Sequence, residues 1–269
     1  MSKIKIVLGY ILGILTTLFI SCLSILLILH FTAFHKSYII KKIEINNYYE
    51  MLQKEIIEDM KSYMISSGLS DSILNDIISV EKIKNDTNKF LTGIYSGKSN
   101  KIDNTVIRKK LNENIDKYIS EYNISITNQK MLDDFVEDII NIYNDEIQLF
   151  GYTNSLSPMF YKISLLLNKI IIVCGIISII LIVILFLLKF EYIYSVISAS
   201  GLILLFIGFV IKNKVDIDNI YIISETFSNI LREILNSIIH VNNITGLILF
   251  VLGICLTLLY ILFKNFKKI

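Results

Sequence analysis

Four stretches of this chain, 6-29, 170-188, 193-211 and 244-263, contain no acidic or basic side chain. Each is close to the roughly 20 apolar residues that carry a helix across ~30 Å of hydrocarbon. In that solvent an isolated segment satisfies its backbone donors and acceptors only by coiling into a helix. The rest of the composition agrees, with 54% hydrophobic residues and a mean hydropathy of +0.61. The net charge of +2 comes with no Lys/Arg stripe of the kind a phosphate backbone requires, so nucleic acid is excluded as a partner. The expected class is all-α: a four-span helical membrane protein with an extracytoplasmic antiparallel helical bundle inserted between spans 1 and 2.

The first span, 4-35, follows Lys3 and is read as a retained signal anchor. Its apolar core is much longer than the ~7–15 residues of a cleaved signal, and no A-x-A site follows. Gly9, Gly13, Thr17 and Ser21 recur every fourth residue, a ribbon of small side chains that lets another helix approach closely. Between Gly13 and Gly68 there is neither glycine nor proline, so the span is expected to run on as one helix into the polar segment.

That segment, 36-157, holds most of the charge and no cysteine. Ile45, Tyr48, Leu52, Ile56, Met60 and Tyr63 repeat at spacings of three and four, the signature of one apolar helix face. Gly68 is expected to cap that helix, and Ser70 to open a short one reaching Ile78. Ser79 with Glu81 opens the next, ended by Gly97. Asp103 or Asn104 precedes a face of Ile107, Leu111, Ile115, Tyr118 and Tyr122. Thr127 precedes another of Leu132, Phe135, Ile139, Tyr143, Ile147 and Phe150. About 125 residues of this kind suffice to bury a core of their own.

Gly151 to Ser157 reads as a hinge, with Ser157 as N-cap and Pro158 at the first helical position. The remaining segments are span 2 at 158-189, span 3 at 193-212, a second extracytoplasmic loop at 213-243 and span 4 at 244-264. The loop carries an amphipathic helix from about Tyr221 to Ile239. The short, basic connections place both termini in the cytoplasm and 36-157 and 213-243 outside, in a cell membrane.

No site motif for catalysis, phosphate or metal occurs, and no enzyme or cofactor is expected. His30, His35 and His240 fall near one interface, where three imidazoles could hold zinc; plain interfacial histidines are the favoured reading. Asp134 and Asp138, one turn apart on an acidic face with Asp133, Glu137 and Asp145, could share a hard cation, against the simpler reading of a solvated face. Cys22, Cys174 and Cys255 lie in apolar runs and read as inert. A pore lined by Thr16, Thr17, Ser195, Ser198 and Ser200 is the alternative of another class, a transport subunit with the bundle as a cap. In architecture alone, a helical bundle between the first two spans resembles the extracytoplasmic sensor modules of bacterial receptors. The expected function is non-enzymatic binding of a membrane or envelope protein, an envelope component, a small ligand or a second copy by that domain, beside the lipid bilayer.

Overall fold

The computed structural model describes residues 3–67, 69–98, 101–124, 129–148, 153–222 and 224–266. Among them the secondary structure is entirely helical. Helix α1 spans Lys3–Phe31, α2 Lys36–Ile45 and α3 Tyr48–Ser67. A 3-10 turn at Asp71–Leu74 leads to α4 (Val80–Ser96), α5 (Thr105–Tyr122) and α6 (Gln129–Ile147). Three long helices follow, α7 (Thr153–Leu188), α8 (Glu191–Lys214) and α9 (Glu225–Phe266).

The chain divides into two compact units. One comprises Met1–Tyr38, Ser164–Ile220 and Leu231–Ile269, and the other Ile39–Ile163 with Tyr221–Ile230. The first contains the apolar helices. Four helical stretches, Ile4–Phe31, Ser157–Leu188, Glu191–Lys214 and Glu225–Asn265, are long and apolar enough to cross a membrane. No more than 33% of the most apolar window of any of them is buried. Ile172, Ile176, Ile179, Leu187, Phe206, Phe209 and Phe263 are exposed, as suits side chains whose solvent is lipid.

Inside that unit, small residues set how closely the backbones pack. Gly9 faces Tyr192, whose ring would lie 2.6 Å from a Cβ added there. Gly201 and Gly246 face each other across α8 and α9: a Cβ on Gly201 would come within 2.6 Å of the Gly246 carbonyl oxygen. Seven residues further along each helix, Gly208 meets the Asn243 carboxamide and Gly253 meets Ser198. Asn242, buried, donates from Nδ2 to the Leu204 carbonyl at 2.8 Å, closing the seam with a polar tie. At the other end of α8, Glu191 accepts from Lys189 and from the Tyr260 hydroxyl, and lies 3.5 Å from Lys264.

The second unit is a bundle of α3, α4, α5 and α6. Leu52, Ile56, Met60, Met64, Ile73, Ile77, Ile83, Ile107, Leu111, Ile139 and Tyr143 are almost wholly removed from solvent. Ser79 Oγ accepts from Lys82 N at 3.2 Å, and Gly97 closes α4 at φ 69°, the left-handed geometry that glycine adopts without strain. A buried pair ties α4 to α6: Tyr143 donates to Asp86 Oδ2 at 2.8 Å, and Lys82 Nζ reaches the same oxygen at 2.5 Å.

Several expectations are corrected. The first span does not continue as one helix. It breaks at 32–35, where Thr32 Oγ1 donates back to the Ile28 carbonyl, and again at Asn47, in the left-handed region at φ 51°. Ile45 is exposed and does not join the apolar face. The Ser70 helix is the single 3-10 turn, with Ser70 Oγ accepting from Ser72 N. Of the two residues expected to open α5, Asp103 does so, its Oδ1 accepting from Thr105 N at 3.0 Å, while Asn104 makes no side-chain cap. Pro158 is not at a helix start, because α7 begins at Thr153. Ser157, buried in the bundle, donates to the Gly93 carbonyl at 3.0 Å. The helix expected to end at Ile239 runs unbroken into the fourth apolar stretch as α9. The expected caps Gly68 and Thr127, and Gly151 of the hinge, lie outside the described residues.

The seam yields a first prediction. Gly201→Ala forces α8 and α9 apart and is expected to cost about 1–3 kcal/mol, read as a lowered thermal midpoint in detergent. Gly175→Ala, with nothing within 4 Å of the added methyl, is expected to leave the midpoint unchanged or raise it slightly.

Candidate functional site

Glu55, Asp59 and Glu146 form an acidic group within the bundle unit, one of whose members, Glu146, has an unpartnered buried oxygen. Glu55 and Asp59 stand one turn apart on α3, on the side that also carries Tyr48. Glu146 comes from the last turn of α6 and is only 5% exposed. The carbonyl end of a helix disfavours a carboxylate, and burial disfavours it further. Glu146 is accordingly pushed up to about 7, first by burial and then by the neighbouring charges of Asp59 and Glu55 and by a hydrogen bond to Asp59. Asp59 is also raised, first by burial; the hydrogen bond from Glu146 opposes the rise, and the charges of Glu55 and Glu58 add to it. The hydrogen bond that raises Glu146 and lowers Asp59 assigns the shared proton to Glu146 below about pH 7. Its Oε2 is buried with no hydrogen-bond partner. Tyr48, buried beside the group, is raised by desolvation and by the charges of Glu146 and Glu55.

Glu55 does something different. Its Oε1 accepts from Glu225 N at 3.1 Å, and its Oε2 accepts from Thr226 N at 3.2 Å and from the Ser224 hydroxyl at 3.0 Å. These are orphan donors at the first turn of α9, where the positive end of the helix suits an anion. Ser224, itself buried, also caps that turn by accepting from Phe227 N at 3.1 Å. Ser228, fully buried, accepts from Ile222 N at 2.8 Å and fixes the approach to the helix. One carboxylate thus serves as an external cap, while Asp59 one turn away is hydrogen-bonded to Glu146 of α6.

The residues singled out by sequence are arranged otherwise. Gly9, Gly13, Thr17 and Ser21 lie on one side of α1; Gly9 meets Tyr192 and Gly13 meets Val196 of α8. The Thr17 carbonyl accepts from Ser200 Oγ at 3.3 Å, and Ser21 is buried. His30 packs edge-on against Phe31 at 4.9 Å with Nδ1 unpartnered, while His35 and His240 are exposed. Among the described residues no three His, Cys, Asp or Glu side chains are placed to hold a metal ion. Asp138 accepts from the Tyr63 hydroxyl at 2.5 Å, which lifts that phenol to about 12, and Asp134 stays exposed. Next to them Glu137 pairs with Arg108 at 2.6 Å. Of the candidate pore hydroxyls, Thr16, Thr17 and Ser200 donate to carbonyls of their own helices.

The Glu55 group was missed because its partners are far apart in sequence; Ser224 is 169 residues from Glu55. Ser224-Glu225 does read as a helix start, the one local signal available.

Because Glu146 binds its proton more tightly when folded than at its ordinary 4.5, its contribution is fully present below about 4.5 and is lost as pH rises through about 7. The bundle is thus expected to be less stable at pH 8 than at pH 5. Glu146→Gln is expected to remove much of that loss, worth up to ~3 kcal/mol at pH 8. Denaturant titrations at the two pH values, followed by near-ultraviolet tyrosine dichroism, measure it.

No protein-family model matches the chain, and no curated protein and no solved structure matches it.

Proposed function

We propose that the protein is a non-enzymatic multi-pass membrane protein of the cell membrane, in which residues 36-157 form an extracytoplasmic helical domain that binds a partner. The partner is a membrane or envelope protein, an envelope component, a small ligand or a second copy of the chain. The observation that carries this reading is a helical bundle with a core of its own in a chain that also has four span-length apolar helices. Two helices, α7 and α9, begin with residues of the bundle unit and continue into the apolar unit without a break. Contact made on the bundle therefore has continuous helices through which to act. The apolar helices carry few ionisable groups, and those at the α7–α8 turn are paired, as for Lys189 with Glu191, which favours a receptor or scaffold over a proton- or ion-coupled carrier.

The test uses the native cysteines replaced by serine and one new cysteine at a time. Met131→Cys, at an exposed bundle position, is expected to react with an impermeant maleimide on intact cells, and Asn265→Cys only after permeabilisation. The opposite pattern rejects the orientation. Photo-crosslinking residues placed at Met131 and Val106 are expected to give a discrete adduct in cells; monomeric chain alone at both positions rejects the binding role.

A further inference from the structure

We propose that Glu55, Asp59 and Glu146 form a proton-operated latch on the first turn of α9: with Glu146 protonated the turn is held, and with Glu146 ionised it is released. The inference goes beyond the binding role and does not depend on which side of the membrane the bundle occupies.

Three donors at the start of α9 converge on one carboxylate, the amides of Glu225 and Thr226 and the hydroxyl of Ser224. The bond set works best with a full negative charge on Glu55, since charged acceptors bind amides about twice as strongly as neutral ones. The same carboxylate stands one turn from Asp59 and within electrostatic reach of Glu146. The charges that act on Glu146 are those of Asp59 and Glu55 from α3 and of Asp145 from its own helix, all acidic. On Asp59 they are Glu55 and Glu58, opposed by the hydrogen bond from Glu146. Tyr48, the phenol facing Glu146 and Glu55, is neutral. From α9 the group receives backbone amides and a serine hydroxyl.

An acidic group of this kind tolerates its charges only while a proton is shared. Glu146 supplies that proton, and it is buried with one oxygen already unpartnered. When the proton leaves to solvent, a buried carboxylate loses its hydrogen bond to Asp59 and gains two repulsive neighbours. Desolvation prevents it from staying in place as an anion at little cost. Two movements relieve the strain. Glu146 can turn outward, or Glu55 can swing away from α3's neighbour and abandon the α9 amides. The second frees the donors of Ser224, Glu225 and Thr226 at a turn where Ser224, Thr226 and Ser228 are all buried. Because Glu55 is the cap of α9, the protonation state of α6 becomes a mechanical condition at the start of the fourth long helix. The ligand of the site is the hydron itself.

Hydrogen exchange on the full chain in lipid nanodiscs tests the latch. Protection of the amides of residues 225–228, corrected for intrinsic exchange, is expected to fall at least tenfold between pH 6 and pH 8 in the native chain. With Glu146→Gln, which keeps a donor toward Asp59 but cannot ionise, protection is expected to stay high at both values. With Glu55→Gln it is expected to be low at both. Asp59→Asn serves as the second variant, and it is expected to shift the transition to lower pH by removing the nearest charge. A native profile flat between pH 6 and 8 overturns the proposal, as does a Glu146→Gln profile with the native pH dependence. Neither result bears on partner binding or sidedness, so the two readings fail separately.

Discussion

A peptide group left unpaired in hydrocarbon costs several kcal/mol, and that penalty shapes more of this molecule than any side-chain contact. It obliges each of the four apolar stretches to be helical along its whole length. It also explains why their hydroxyls turn inward on themselves. Thr16, Thr17, Ser24 and Thr257 donate to carbonyls of their own helices, which satisfies them without asking anything of a neighbour, and Ser200 divides its bond between its own helix and the Thr17 carbonyl of α1. Helix formation in lipid therefore follows from composition, whereas association between helices needs a further cause.

Lipid tails are as apolar as leucine, so burying leucine between helices gains little there. The seam between α8 and α9 relies instead on close backbone approach. Gly201 and Gly246 bring the two backbones together, and Asn242 adds a hydrogen bond in a solvent that offers no competitor. In the bundle the balance is reversed. Water drives Leu52, Ile56, Met60, Leu111 and Ile139 together, and no disulfide is needed among them. The two units are thus held by different physics in one chain.

How far the sequence alone could reach follows from that difference. Uncharged length identified the apolar helices, and local chemistry identified caps whose partners are near in sequence, such as Ser79 and Gly97. The breaks at 32–35 and at Asn47 were hidden, because the first uses a threonine back-bond and the second an asparagine in a conformation usually left to glycine. Pairs of glycines seven residues apart, Gly201 with Gly208 and Gly246 with Gly253, are the sequence trace of that seam, less regular than the ribbon on α1. Of the Glu55 group only the helix start at Ser224-Glu225 is legible in the sequence. Nothing near Glu55 distinguishes it from the other carboxylates of α3 until folding brings α9 to it.

The account depends on the exposed apolar faces of α7 being bathed in lipid while the bundle stands in water. Nitroxide labels at Ile172, Ile176, Ile179 and Val183 of α7, and at Val106 and Met131 of the bundle, decide it by collision with molecular oxygen and with a water-soluble nickel complex in reconstituted bilayers. The expected result is strong oxygen broadening and little nickel broadening along α7, with the reverse at Val106 and Met131. Ready access of nickel to the α7 positions would contradict it, because those helices would then be packed in water.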